Sequence, residues 1–146
     1  MGNKSPLPIL IADDDPDDRM MIAEAFEEAS LCNPLVFAED GIDLLEQLRG
    51  ENGNERANPG LILLDLNMPR MDGRTALEEI RKDADLRRIP VVVLTTSQAE
   101  EDILRTYDLG VNSFITKPVT FEGLVKVVQV LNSYWIEIVA LPERAA

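Results

Sequence analysis

The chain has 146 residues, of which 45% are hydrophobic and 28% charged, a composition typical of one globular domain and not of a disordered or fibrous protein. Its 14 basic and 27 acidic side chains give a formal net charge of -13, which disfavours binding to nucleic acid and to anionic membrane surfaces. The sequence contains no histidine, which excludes histidine-type zinc sites, a Ser-His-Asp triad and a phosphohistidine within the chain itself.

Short apolar runs of strand length alternate with amphipathic stretches of helical periodicity along the chain. The runs predict strands at 7–12, 35–38, 61–64, 91–94 and 113–116. The amphipathic stretches predict helices at 16–29, 41–49, 74–82, 99–109 and 121 to about 139. Residues 50–59 are rich in Gly, Asn and charge and predict a solvated loop. Strand followed by helix, repeated five times, indicates an α/β fold with a parallel sheet covered by helices.

Five carboxylates follow the first predicted strand within six positions, namely Asp13, Asp14, Asp15, Asp17 and Asp18. Part of this cluster has a purely structural interpretation. Asp15 is well placed as the N-cap of the first helix, with Pro16 as its first residue, and Asp17 and Asp18 meet the positive end of the helix dipole. Asp13 and Asp14 precede the cap, at the end of the strand, and this interpretation does not account for them.

Three further strand ends carry chemically active side chains: Asp65, Thr95 and Lys117. Right-handed crossovers bring the carboxyl ends of parallel strands to one edge, where we expect these residues to meet Asp13 and Asp14. Three carboxylates within about 4 Å would repel by several kcal/mol, so a raised pKa, a hard cation or a lysine must compensate. Oxygen ligands of this kind suit Mg²⁺. A single strand-end lysine or threonine is usually structural, but the combination favours phosphoryl chemistry.

These residues resemble the receiver domain of two-component response regulators, from residue 7 to about residue 132. The matching motifs are Asp13-Asp14, Asp65-Leu66-Asn67-Met68-Pro69 closing with Met71-Asp72-Gly73, Thr95-Thr96-Ser97, and Lys117-Pro118. The resemblance implies a flavodoxin-like, doubly wound (βα)5 fold with strand order 2-1-3-4-5 and a receiver domain at 7–133. One departure is the Asp-Asp pair, where related chains often carry Glu-Asp, so that the first carboxylate has a shorter reach.

The resemblance also implies roles for single residues. Asp65 would be the nucleophile that takes a phosphoryl group from a phosphohistidine on a partner kinase, forming an acyl phosphate. Asp14 and Asp65 would bind Mg²⁺ directly, with the backbone carbonyl of Asn67 as a further ligand and Asp13 acting through water; Mn²⁺ could take its place. Lys117 would pair with the phosphoryl group.

Further implied features concern the switch between signalling states. Thr95 would turn inward to a phosphoryl oxygen, and Phe114 would reposition with it, altering the surface of the fourth helix, fifth strand and fifth helix. Core packing is the alternative interpretation of Phe114. Asn67 and Ser97 match positions that tune the lifetime of the phosphoryl group. The Lys117-Pro118 peptide bond is expected to be cis.

The C-terminal segment makes the resemblance more specific, pointing to one group of response regulators. With three internal motifs, it is similar to the single-domain regulators that partner phytochrome-type histidine kinases, including the bacteriophytochromes. The motifs are Asp65-Leu66-Asn67, Arg87-Arg88-Ile89-Pro90 and Ser97-Gln98-Ala99-Glu100-Glu101-Asp102. We expect residues 134–146 to extend the last helix and to form a homodimer interface through an apolar stripe of Tyr134, Trp135, Ile138 and Leu141. The alternative is that this stripe folds back on its own domain.

The ends of the chain and its cysteine content indicate the cellular compartment of the protein. Residues 1–6 are predicted to be disordered and belong to no apolar stretch of signal-peptide length. No apolar run approaches the roughly 20 residues that span a bilayer. Cys32 is the only cysteine, so no intramolecular disulfide can form, which fits a reducing compartment. We therefore expect a cytoplasmic protein with no membrane partner.

Two other functions compete with the phosphoacceptor hypothesis. A Mg²⁺-dependent phosphohydrolase with an aspartyl-phosphate intermediate would need a second acid two residues after the nucleophile, where this chain has Asn67. A pseudo-receiver would bind partners without being phosphorylated, and the complete set of site residues speaks against it. We expect a signalling protein that passes its signal on by a changed surface or by phosphate relay. Its own chemistry would be limited to self-phosphorylation and autodephosphorylation.

Overall fold

The computed structural model describes residues 7–96 and 99–133. In these residues five strands alternate with five helices. The strands are β1 (Ile9–Ala12), β2 (Leu35–Ala38), β3 (Leu61–Leu64), β4 (Val91–Thr95) and β5 (Ser113–Thr116). The helices are α1 (Pro16–Glu28), α2 (Gly41–Arg49), α3 (Gly73–Lys82), α4 (Glu100–Asp108) and α5 (Phe121–Leu131). All strand pairs are parallel and the strand order is β2-β1-β3-β4-β5, which confirms the predicted fold and topology.

The predicted bounds of the elements are correct to within one or two residues over most of the chain. β1 begins at Ile9 and not at residue 7, because Pro8 has no backbone N–H to donate to a neighbouring strand. β4 continues to Thr95, which pairs with Thr116 of β5. The predicted continuation of the last helix to about residue 139 lies largely outside the described residues. None of the helices in the described ranges combines the length and apolar character needed to cross a lipid bilayer.

The core consists of two apolar layers, one on each face of the sheet. β1, β3 and β4 are buried on both faces, which explains their nearly continuous aliphatic sequences. Alternate strand residues enter opposite layers. The layer under α2 and α3 includes Leu10, Ile62, Val93, Leu44, Leu48, Leu77 and Ile80. The layer under α1 and α5 includes Ile11, Leu63, Val92, Ile22, Phe26, Leu124 and Val128.

Two local predictions are confirmed at the first helix and in the long loop. Asp15 is the N-cap of α1 and its side chain accepts a hydrogen bond from the backbone N–H of Asp17 at 2.8 Å, with Pro16 as the first helical residue. Residues 50–59 contain no helix or strand. Gly50, which ends α2, has a φ of 70° in the left-handed region, so the chain leaves the helix there.

Backbone hydrogen bonds continue past the ends of the strands and fix the residues that follow them. The N–H of Asp65 donates to the carbonyl oxygen of Ala12 at 3.0 Å, and the N–H of Lys117 donates to that of Thr95 at 2.8 Å. The N–H of Asp13 is held in the same way by β2. The sheet therefore positions the predicted site residues by its own hydrogen-bond ladder at the carboxyl edge.

Candidate functional site

Three carboxylates meet at the carboxyl edge of the sheet, as the sequence predicted. One oxygen from each of Asp13, Asp14 and Asp65 lies within 4.8 Å of the others. Asp13 and Asp65 are buried, while Asp14 is exposed. A hard divalent cation binds carboxylate oxygens and keeps water in its coordination shell, and the exposed side of this cluster leaves room for such water. The donor set therefore fits a divalent metal ion.

Asp13 is engaged within the protein through both of its carboxylate oxygens. Its Oδ2 accepts a hydrogen bond from Lys117 Nζ at 2.6 Å, and its Oδ1 accepts one from the N–H of Asp15 at 3.0 Å. Burial, together with the charge of Asp65, raises the pKa of Asp13 against the opposing effects of Lys117 and of the Asp15 N–H. The protein environment alone therefore disfavours the charged form of this carboxylate, and a cation in the cluster would favour it.

Asp65 lies at the end of β3 between a hydroxyl and an ammonium group. Its Oδ1 accepts a hydrogen bond from Thr95 Oγ1 at 2.8 Å, and its Oδ2 accepts one from Lys117 Nζ at 3.2 Å. The backbone N–H of Asn67 lies 3.4 Å from Oδ1, a long contact. The side chain of Asp65 is 8% exposed, so it is largely shielded from bulk water. The structure thus brings Asp65, Thr95 and Lys117 together as predicted.

Lys117 contacts a third carboxylate that the sequence analysis did not assign to the site. Besides Asp13 and Asp65, its Nζ donates to Asp18 Oδ2 at 2.8 Å. Burial lowers the pKa of Lys117, but the hydrogen bonds to Asp13 and Asp18 and the charge of Asp65 outweigh this and raise it above its ordinary value. Lys117 is therefore protonated at neutral pH. Asp18 was interpreted only as a helix-dipole residue, because its partner lies 99 positions away and gives no local signal.

A second pair near the site was also not predicted. Arg74, on the first turn of α3, donates from Nε and Nη2 to the carboxylate of Asp102 on α4, at 2.5 and 2.6 Å. Its Nη2 also lies 3.5 Å from Asn67 Oδ1. The hydrogen bond to Asp102 raises the pKa of Arg74, so the guanidinium group keeps its charge. Arg74 therefore links α4 to the loop that follows Asp65.

One expectation at this edge is wrong and another stays a prediction. The described residues contain no cis peptide bond, so Lys117-Pro118 is trans. The trans form is ordinarily favoured by about 0.5–1 kcal/mol before proline, and Lys117 reaches Asp13 and Asp65 without the cis form. Phe114 is half-buried against the layer under α2 and α3, which agrees with its core-packing alternative. Its proposed repositioning remains a prediction.

Several predicted features lie outside the described residues. Ser97, proposed to tune the phosphoryl lifetime, is one of them. The proposed dimer stripe of Tyr134, Trp135, Ile138 and Leu141 is another. The same holds for residues 1–6, predicted to be disordered, and for the extension at 134–146. The assignments for these segments remain predictions from the sequence.

Comparison with known proteins identifies a family. Residues 9–129 match the family described as the response regulator receiver domain. The response regulator Rcp1 of Synechocystis is 41% identical over 138 residues, covering 94% of this chain and 94% of Rcp1.

Solved structures give the same result. The crystal structure of the phosphorylated cyanobacterial phytochrome response regulator RcpA has a TM-score of 0.89 and 38% identity, covering 95% of this chain and 100% of that one. The Mn²⁺-bound form of Rcp1 has a TM-score of 0.85 and 40% identity, covering 94% and 100%. The chain is thus similar in sequence and fold to these proteins over nearly its whole length. It belongs to the response regulator receiver domain family and is a signalling protein of a two-component system.

Proposed function

We propose that Asp65 accepts a phosphoryl group from a histidine kinase of the phytochrome type. The observation that carries this proposal is the environment of its carboxylate. Asp65 is held between the Thr95 hydroxyl and the Lys117 ammonium group, and two further carboxylates lie beside it. A nucleophile in a phosphoryl transfer needs a fixed orientation and a nearby positive charge for the incoming oxygens, and both are present.

The transfer forms one bond and breaks one. A carboxylate oxygen of Asp65 attacks phosphorus, the bond between phosphorus and the histidine nitrogen breaks, and the imidazole leaves with its electron pair. Lys117 lies close enough to Asp65 for its ammonium group to offset negative charge on the phosphoryl oxygens. Buried Asp65 and Thr95 keep one side of the site away from bulk water.

A divalent metal ion, which we propose to be Mg²⁺ with Mn²⁺ as a substitute, would neutralise the acid cluster and draw negative charge from the phosphoryl oxygens. Asp14 and Asp65 would hold it directly, together with the backbone carbonyl of Asn67. Asp13, whose oxygens already bind Lys117 and the N–H of Asp15, would act through water. The Mn²⁺-bound form of the similar protein Rcp1 supports a divalent metal in this cluster.

The signal would leave through the surface of α4, β5 and α5. Thr95, whose hydroxyl donates to Asp65 Oδ1, would donate to a phosphoryl oxygen after the transfer. Phe114, on the neighbouring strand, would move with Thr95 and alter this surface or expose the site for phosphate relay. Asn67 and Ser97 would set how long the phosphoryl group survives. The chain's own chemistry would be limited to its phosphorylation and autodephosphorylation.

The phytochrome-type partner rests on the similarity to RcpA and Rcp1 and on the sequence motifs shared with such regulators. A histidine kinase takes its phosphoryl group from ATP, and we accordingly place this protein in the cytoplasm. A phosphotransfer assay with a purified bacteriophytochrome kinase tests the pairing. Failure of transfer from that kinase, in a preparation that accepts phosphate from acetyl phosphate, would refute the partner and leave the acceptor role intact.

Intact-mass measurement tests the acceptor role directly. The parent, incubated with acetyl phosphate and Mg²⁺, is expected to gain the mass of one phosphoryl group, and Asp65→Asn is expected to gain none. Asp72→Asn is a matched control, because this N-cap carboxylate of α3 lies on the same loop outside the acid cluster. Chelation of the metal should prevent the gain. Phosphorylation of Asp65→Asn at the parent's level would refute the proposal.

We further propose a homodimer formed through Tyr134, Trp135, Ile138 and Leu141. This proposal rests on the apolar stripe in the sequence. Light scattering of the parent and of Trp135→Ala measures it, with a dimeric mass expected for the parent and a monomeric mass for the variant. A monomeric parent would contradict it.

A further inference from the structure

All the hydrogen-bond donors of the Lys117 ammonium group are taken up by carboxylates. An ammonium group has three N–H donors. Its Nζ lies 2.6 Å from Asp13 Oδ2, 2.8 Å from Asp18 Oδ2 and 3.2 Å from Asp65 Oδ2, one acceptor for each donor. The contact to Asp65 is the longest of the three. Asp13 and Asp18 therefore fix the position of Lys117. The N–H that points to Asp65 makes the longest of the three hydrogen bonds and is the one most easily given up to another acceptor.

The three carboxylates differ in their relation to the candidate metal cluster. Asp13 and Asp65 belong to this cluster together with Asp14, whereas Asp18 does not. A divalent cation in the cluster would compete for the oxygens of Asp13 and Asp65 and repel the ammonium group of Lys117. Phosphorylation would also remove the negative charge from the carboxylate of Asp65. Asp18 is the carboxylate partner of Lys117 that neither event weakens.

We propose that Asp18 is a positioning residue that holds the Lys117 ammonium group at the phosphorylation site when a divalent cation occupies the acid cluster. This inference rests on the proposed roles of Asp65 and Lys117. Asp18 acts through Lys117 and does not touch the reacting atoms. Without Asp18, the cation would push Lys117 away, and the phosphoryl oxygens would lose a positive charge during transfer.

The geometry separates this role from that of a helix-dipole residue. Asp17 and Asp18 both lie on the first turn of α1 and meet the same helix end. Asp17 is exposed, while the Asp18 side chain is 35% exposed and reaches Lys117, the residue that directly follows β5. Asp18 is the most accessible of the three carboxylates that contact Lys117, and Asp13 and Asp65 remain to pair with the lysine when Asp18 is removed, so its removal costs little folding free energy. The effect of removing Asp18 is therefore expected on the reaction, and the effect of removing Asp17 only on the helix end.

The test compares Asp18→Asn with Asp17→Asn. Phosphorylation by acetyl phosphate with Mg²⁺ is followed by intact mass, since a small donor removes any effect on kinase docking. Asp18→Asn is expected to react about tenfold more slowly than the parent, the scale seen when an outer partner of a site ligand is lost. Asp17→Asn should react at the parent's rate. Asp18→Glu should restore part of the loss because it keeps the charge.

A double-mutant cycle tests whether Asp18 affects the phosphorylation rate through Lys117. In a Lys117→Met background, Asp18→Asn is expected to cause no further loss, because its partner is already absent. Equal rates for Asp18→Asn and Asp17→Asn would overturn the inference, as would an equal loss with and without Lys117. Asp65→Asn distinguishes failure of this inference from failure of the proposed function. If Asp65→Asn is phosphorylated, the proposed function is refuted as well.

A second measurement does not depend on turnover. A hydrogen-bonded lysine ammonium group gives a ¹H–¹⁵N signal, whereas one that exchanges rapidly with water does not. The parent should keep the Lys117 signal on addition of Mg²⁺, and Asp18→Asn should lose it only when the metal is present. Retention of the signal in metal-loaded Asp18→Asn would overturn the inference even if the Lys117→Met background proved too slow to measure.

Discussion

Replacing Arg74 with methionine should destabilise the protein by removing the charge that faces Asp102. The Arg74 side chain is 19% exposed and that of Asp102 12%, and the two groups share two short hydrogen bonds, at 2.5 and 2.6 Å. Removing these two hydrogen bonds from a carboxylate this deeply buried costs about 2–3 kcal/mol. For a chain of this size, that loss corresponds to a fall in Tm of roughly 4–12 °C.

A second ion pair between the same two helices provides the matched control. Arg105 on α4 pairs with Glu78 on α3, with side chains 49% and 32% exposed. Exposed pairs contribute about 0–1 kcal/mol, so Arg105→Met should lower the Tm by at most a few degrees. Thermal unfolding followed by circular dichroism measures both variants.

The outcome that would refute this reasoning is an equal fall in Tm for the two arginine variants. The double variant Arg74→Met/Asp102→Leu provides a further check, because it removes the carboxylate that Arg74→Met leaves without its arginine. It should lose less stability than the sum of the two single variants. A strictly additive loss would show that the two side chains are not coupled.

Two further predictions concern the acid cluster and the loop behind Asp65. The pKa of Asp13 is raised by burial above its ordinary 3.8, so between pH 3.8 and that raised pKa the folded state binds more protons than the unfolded state, and stability falls as pH rises through this range. In metal-free buffer, Asp13→Asn should therefore melt higher than the parent at about pH 7, with the difference shrinking at about pH 3; a parent that melts higher at neutral pH would contradict this. A Cβ at Gly73 would lie 2.2 Å from the backbone carbonyl oxygen of Asp65, so Gly73→Ala should lose at least the roughly 1–3 kcal/mol of an overpacked core and be phosphorylated more slowly. Urea unfolding measures that loss, and an unchanged midpoint would show that the loop yields at little cost.

The fold and the centre of the site could be predicted because both follow from the order of the elements. The aliphatic runs of β1, β3 and β4 mark strands buried on two faces, and parallel strands leave their carboxyl ends at one edge. Residues directly after strands of such a sheet, such as Asp13 after β1, Asp65 after β3 and Lys117 after β5, must then meet. The positions of the strands, which can be read from the sequence, are therefore enough to predict that these side chains lie close together.

The contacts of Asp18 and Arg74 could not be predicted, because they do not follow from the order of the elements. Each side chain extends from the first turn of a helix, and its partner depends on how that helix lies across the sheet and against its neighbour. A rotation of α1 by one residue would turn Asp18 away from Lys117 while preserving the same pattern of charges. The trans Lys117-Pro118 bond was beyond prediction too, because the two isomers before proline differ by only about 0.5–1 kcal/mol.

The positive charge at this edge is the last component of the site to be synthesised. Lys117 follows Asp13 by 104 positions and Asp65 by 52. Since a chain emerges from the ribosome amino end first, its crowded acids exist for some time without their counter-charge. A nascent chain that ends before β5 lacks the ammonium group that offsets the negative charge of these carboxylates. We therefore expect chains that end before β5 not to undergo the proposed phosphorylation of Asp65.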